Sequence, residues 1–137
     1  MTRASTVCAA AGLLLLTACT AAPPDRPAGA HAPSAMPAEG RDVAAEFTAY
    51  VRSHGTPEQH AAVLGHITRA TRDVPQGGHT NSYLATDWED ARPDRTEQII
   101  RSYLAWTGER ERGAMLVLYR RDGSVMGAAD LPSWQGR

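Results

Sequence analysis

Histidines at positions 54, 60 and 66 recur every six residues, and imidazoles at a regular interval invite a zinc site. Helix geometry speaks against it. Six residues on one helix turn through about 600°, which leaves His60 and His66 about 120° apart, and Pro57 separates His54 from both. Ligands on one helix meet a metal at i and i+4. The stretch "TDWED" gathers Asp87, Glu89 and Asp90, oxygen donors of the kind that hold a hard cation, although a solvated strand end leading into a helix has the same composition. Ser53-His54 lacks the strand-turn-helix context of a nucleophile elbow, and Gly77-Gly78 lacks the motif of a phosphate loop. Trp88 and Trp106 could line a cleft, but indoles on otherwise apolar faces usually belong to a core. These patterns assign no catalytic residue, no metal and no cofactor.

The amino terminus carries a different chemistry. Arg3 precedes a ten-residue apolar stretch, Val7 to Leu16, which is the length of a signal-peptide core and short for a bilayer span. Leu16, Thr17, Ala18 and Cys19 follow. A branched apolar residue, two small residues and a cysteine resemble the lipobox of bacterial lipoprotein signal peptides. The resemblance implies that the Cys19 thiol takes a diacylglyceryl group, that residues 1–18 are removed, and that the chain hangs from the extracytoplasmic face of the cell membrane. Together with the Ala/Arg/Pro richness and the absence of Lys, the lipobox makes the chain look like the small lipoproteins of streptomycete-type actinobacteria. Residues 20–40, with five prolines and two glycines, show no apolar periodicity and read as a disordered spacer. Those 21 residues would span roughly 25 Å as a coil and about 65 Å as polyproline II.

Cleavage before Cys19 would leave 119 residues, of which 41–134 form one small domain. Loss of Cys8 with the leader and lipidation of Cys19 would leave no free thiol, which excludes cysteine catalysis, thiolate metal sites and disulfide exchange. The basic residues are 14 arginines, and without Arg3 the remaining 13 face 15 acidic residues. No basic footprint for nucleic acid exists.

The elements expected in that domain begin with "RDVAAEFTAYVRSHG". Val43, Phe47, Tyr50, Val51 and His54 lie at helical spacing over 41–54, and Gly55 reads as a left-handed stop. Thr56, Pro57 and Gln59 spell a capping box for a second helix reaching about Arg72, antiparallel to the first. "SYLATDW", 82–88, alternates as a strand. Asp94 with Glu97 suggests a cap for a third helix, whose stripe of Ile99, Ile100, Tyr103, Leu104 and Trp106 ends at Gly108. Two strands, 114–121 and 124–131, meet at Asp122-Gly123, a dipeptide that favours a type I′ hairpin. The fold class is therefore α+β: a helical hairpin, then β-α-β-β, with a three-stranded sheet packed on helices and the last strand central.

A two-residue turn would pair Tyr119 with Met126, Val117 with Ala128 and Leu116 with Ala129. One hairpin face then holds Met115, Val117, Tyr119, Met126 and Ala128, and the other Leu116, Leu118, Val125, Ala129 and Leu131. Both faces are apolar, where a half-solvated hairpin would alternate. Either helices cover both sides, or the Met115, Val117, Tyr119 and Met126 face receives a partner. The sequence reads as an anchored binding or accessory module for a protein or cell-envelope partner. A hydrolase with a site assembled from dispersed residues, or a purely structural envelope lipoprotein, is the alternative.

Overall fold

The computed structural model of the chain describes residues 33–73, 80–108, 114–131, 133 and 134. The leader, Cys19, the spacer as far as residue 32 and the Gly77-Gly78 turn lie outside the described residues. Strand β1, Arg41–Asp42, runs straight into helix α1, Ala44–His54, whose first turn is capped where the Ala44 amide donates to Asp42 Oδ1 at 2.9 Å. Phe47 and Val51, one turn apart, bury the inner side of α1. Gly55 ends it for a reason other than handedness. Its φ of −75° is open to any residue, but an added Cβ would stand 2.6 Å from the Val51 carbonyl oxygen and 2.9 Å from the His60 ring. The glycine makes room for α2 to start at once.

Helix α2, Pro57–Val63, opens on the capping box read from the sequence: Gln59 N donates to Thr56 Oγ1 at 3.3 Å, and Thr56 N donates to Gln59 Oε1 at 2.9 Å. It does not continue to Arg72. Gly65 adopts a φ of +81°, and the chain then enters strand β2, Ile67–Asp73. A β-branched Ile67, Thr68 and Thr71 suit the pleat; the helix ends where Leu64 turns extended, and Gly65 takes the positive φ of the turn that His66 N closes on the Val63 carbonyl at 3.1 Å.

Strand β3 is Asn81–Thr86, helix α3 is Pro93–Thr107, and strands β4 and β5 are Met115–Tyr119 and Val125–Asp130. Helix α3 starts with Pro93 as its first residue after Arg92, so Asp94 lies within the first turn and does not cap it. Gly108 closes it at φ +65°, the left-handed stop expected. The sheet has five strands in the order β1-β2-β3-β4-β5, with β3 and β4 parallel and the other neighbours antiparallel. The α+β class holds, whereas the expected three-stranded sheet does not. The missing strands came from residues read as helix (β2) and as helix start (β1). The last strand is an edge, and β4 is interior because α3 carries the chain from β3 to its parallel neighbour.

The three helices of the described residues pack on one side of the sheet. Leu84, Leu116, Leu118, Ala129 and Leu131 from the strands meet Phe47, Val51, Ile99 and Tyr103 from the helices in one buried cluster. Phe47, Tyr103 and Trp106 touch edge to face or tilted, with ring centroids 5.5–5.6 Å apart. The buried Tyr103 hydroxyl donates to Ser82 Oγ. That bond ties α3 to β3.

Candidate functional site

Two regions collect the residues that could act on something else. The first is the side of the sheet opposite the helices. Register places Thr71 of β2 beside Tyr83 of β3, and Tyr83 beside Val117 of β4, so these share that face with Met115 and Tyr119. Tyr119 and Val117 are fully buried and Tyr83 nearly so.

The β4–β5 turn decides which other residues join them. It contains three residues, not two: Arg120 N donates to the Ser124 carbonyl, Gly123 N donates to the Arg120 carbonyl, and Gly123 alone takes a positive φ, +82°. A type I turn followed by a left-handed glycine replaces the expected I′ turn. Tyr119 therefore pairs with Val125 instead of Met126. An irregularity at Met126 then restores Val117 to Ala128 and Leu116 to Ala129, the pairs expected. One extra residue in a strand turns side chains to the other face. Met126 accordingly packs with the helix-side core, and Val125 takes its place against Tyr119. Of the four candidate partner-binding residues, Met115, Val117 and Tyr119 come together, and Met126 does not join them.

Among the described residues, no helix covers this face. Residues 33–40, expected to be a free spacer, lie across it. The Tyr119 hydroxyl donates to the carbonyls of Pro33 and Ala35 at 3.0 and 3.4 Å, and Arg69 donates to the Ala38 carbonyl at 2.6 Å. Among the described residues, Met36 is the apolar side chain from outside the sheet that packs on Tyr83, Val117 and Tyr119. Burial pushes the Tyr119 phenol above its ordinary pKa, with Tyr83 adding to the shift; burial does the same for Tyr83, with the Asp73 carboxylate adding. Both phenols are thus held in the neutral form that can donate.

The second region is a polar cleft at the end of the sheet where β3 stops. His66 Nδ1 lies 2.8 Å from Asp87 Oδ1, and the His66 ring stacks on Trp88 at 3.7 Å. The Arg95 guanidinium lies 3.5 Å from the Trp88 ring centroid. Two groups at contact distance over one ring must take opposite faces, so the indole is sandwiched. Its Nε1 donates to the Ala62 carbonyl at 3.2 Å, and Arg121 N donates to the Trp88 carbonyl at 2.9 Å. Arg95 bonds Asp90 at 2.5 Å, which holds that carboxyl below its usual range, and Arg121 reaches Glu89 at 2.8 Å.

An Asp-oriented histidine is half of a hydrolytic triad. Its other half is a hydroxyl, and among the described residues none is hydrogen-bonded to His66; the neighbouring Thr86 hydroxyl donates to the Tyr119 carbonyl at 2.9 Å. The carboxylates of "TDWED" are spent on His66, Arg95 and Arg121. His54 and His60 point elsewhere, donating to the carbonyls of Tyr50 and Val51 at 3.1 and 2.8 Å. Among the described residues, no group of three or more His, Cys, Asp or Glu side chains is placed to hold a metal ion. What the cleft does is pin together α2, the turn leading into β2, α3 and the β4–β5 turn through Trp88. The pairing of His66 with Asp87, 21 residues apart, left no local signal in the sequence. No family model, no curated protein and no solved structure matches the chain.

Proposed function

We propose that the protein is a lipid-anchored binding module on the extracytoplasmic face of the cell membrane, held by lipid on Cys19 and recognising a protein or cell-envelope partner through the Tyr83–Val117–Tyr119 face. The lipobox Leu16-Thr17-Ala18-Cys19 supports the anchor. The observation that carries the binding role is the cover on that face: among the described residues, it is met by a half-buried methionine and three carbonyl contacts, where the opposite face packs on helices. A sheet face this apolar needs a cover, and a cover held by a strap, 33–40, with no backbone pairing to the sheet among the described residues is one that can be exchanged.

The anchor also sets a radius of action. Pro33 follows Cys19 by 14 residues, so this contact residue lies at most about 50 Å from the lipidated one when the chain between them is fully extended. Metabolic labelling with an alkynyl palmitate tests the anchor. The parent protein takes the label and fractionates with membranes, while Cys19→Ala does neither. Equal labelling of the two would overturn the assignment.

A further inference from the structure

We infer that the Tyr83–Val117–Tyr119 face is a groove for proline- and alanine-rich extended peptide segments, filled at rest by the chain's own residues 33–38 and open to a like segment in trans when that strap lets go. The inference rests on reading this face as the recognition surface, and the present occupant indicates what the surface accepts. Tyr119 and Arg69 donate to three backbone carbonyls, those of Pro33, Ala35 and Ala38. Any peptide can offer carbonyls. Prolines suit such a groove because they remove N–H groups that would otherwise need partners there and because their restricted backbone loses little entropy on docking. The strap has Pro33 and Pro37 on either side of Met36, its one apolar anchor on the two tyrosines. Aromatic side chains with a hydroxyl or N–H at the rim are the usual lining of sites that take such segments.

Two further observations show that the strap, although it buries the face, leaves its polar pairing incomplete. Thr71 is fully buried on this face, yet its hydroxyl has no hydrogen-bond partner, so the present cover leaves polar capacity unused. Among the described residues, no backbone–backbone hydrogen bond joins 33–40 to the sheet. The ladder begins only at Arg41, opposite Arg72. Between the two lies Gly40, at φ +110°, where a Cβ would stand 3.1 Å from the Arg72 carbonyl oxygen. The strap can leave at this glycine without disturbing β1. A segment held by a few side-chain contacts opens well before the fold does. While seated it competes as a tethered ligand, at an effective concentration on the order of millimolar.

The probe is a fluorescent synthetic peptide, HAPSAMPAEG, corresponding to residues 31–40. It is titrated by anisotropy into the chain from residue 19 onward, carrying Cys19→Ala to keep it in solution. Met36→Asp should release the strap, expose Tyr119 to nitration as mapped by mass spectrometry, and raise peptide affinity at least tenfold over the parent. Adding Tyr119→Phe to the released chain should lower that affinity several-fold. If Met36→Asp fails to fold by circular dichroism, Met36→Ala takes its place. Nitration of Tyr119 without peptide binding overturns the peptide groove and leaves the recognition surface standing. Tyr119 protected alike in parent and released variants overturns both, since the strap would then not be the cover.

Discussion

The two faces of one sheet are both apolar and yet are closed in opposite ways. On the helix side, fully buried leucines at 84, 116, 118 and 131 interlock with Phe47, Ile99 and Tyr103, and each such side chain contributes about 1.5–3 kcal/mol by leaving water. On the strap side, among the described residues, Tyr83, Val117 and Tyr119 meet the half-buried Met36 from outside the sheet, and the hydrogen bonds to the strap are worth about 0.5–1.5 kcal/mol each. The difference separates two jobs. The helix face holds the domain together, and on the proposed reading the strap face can be uncovered while the domain stays folded.

The largest effect that would sharpen this contrast comes from the aromatic triangle on the helix face. Phe47 is fully buried and touches Tyr103 and Trp106, so Phe47→Ala leaves a cavity that the flanking helices cannot fill. A loss of about 3–5 kcal/mol is expected in urea unfolding. A loss below about 1 kcal/mol would mean the helix layer is not the stabilising one. Next in size is Trp88→Ala. Its indole is held by His66, Arg95 and Ala62, and removing it unties α2, the turn leading into β2, and α3 at one point. Because the site is part-exposed, a loss of about 2–3 kcal/mol is expected, below the range for a fully buried aromatic. Peptide binding by the strap face should survive this change, since none of the Trp88 contacts lies on that face. Loss of binding in a folded Trp88→Ala protein would instead assign recognition to the cleft.

Some of this architecture was legible in the residues and some could not be. Thr56, Pro57 and Gln59 announced α2, the stripe from Ile99 to Trp106 announced α3, and Gly108 stopped it, because each signal is local. Strand β2 was hidden by its own composition. "ITRATRD" puts Arg69, Thr71 and Asp73 on one face and Ala70 and Arg72 on the other, so no apolar alternation marks it. Its one punctuation mark was Gly65. The turn after Arg120 was misread for a subtler reason. Asp122-Gly123 fits a two-residue turn as well as the last two positions of a three-residue one, and that single residue decides whether Met126 or Val125 faces Tyr119. The strap was illegible altogether, since proline-rich composition reports the absence of regular structure and is silent about docking.

The smallest predicted effect concerns alkaline pH, and it tests the strap face through one of its tyrosines. The chain has no lysine, and arginine stays protonated, so the window around pH 10 belongs to the tyrosines. Burial raises the pKa of Tyr83 and Tyr119 on the strap face and of Tyr103 on the helix face. An unfolded chain therefore releases these phenolic protons first. Where the unfolded state binds fewer protons than the folded one, stability falls as pH rises. The stabilisation is complete below the ordinary phenol pKa of about 10 and is lost as pH climbs toward the raised folded values. Tyr119→Phe removes one of the three contributors and the donor to Pro33 and Ala35 together. At neutral pH it should cost about 1 kcal/mol for the lost hydrogen bonding. Above about pH 10 its unfolding free energy should fall less steeply than the parent's, because one fewer buried phenol titrates. Parallel slopes would mean that Tyr119 already meets solvent in the folded protein, and the strap would then be open most of the time.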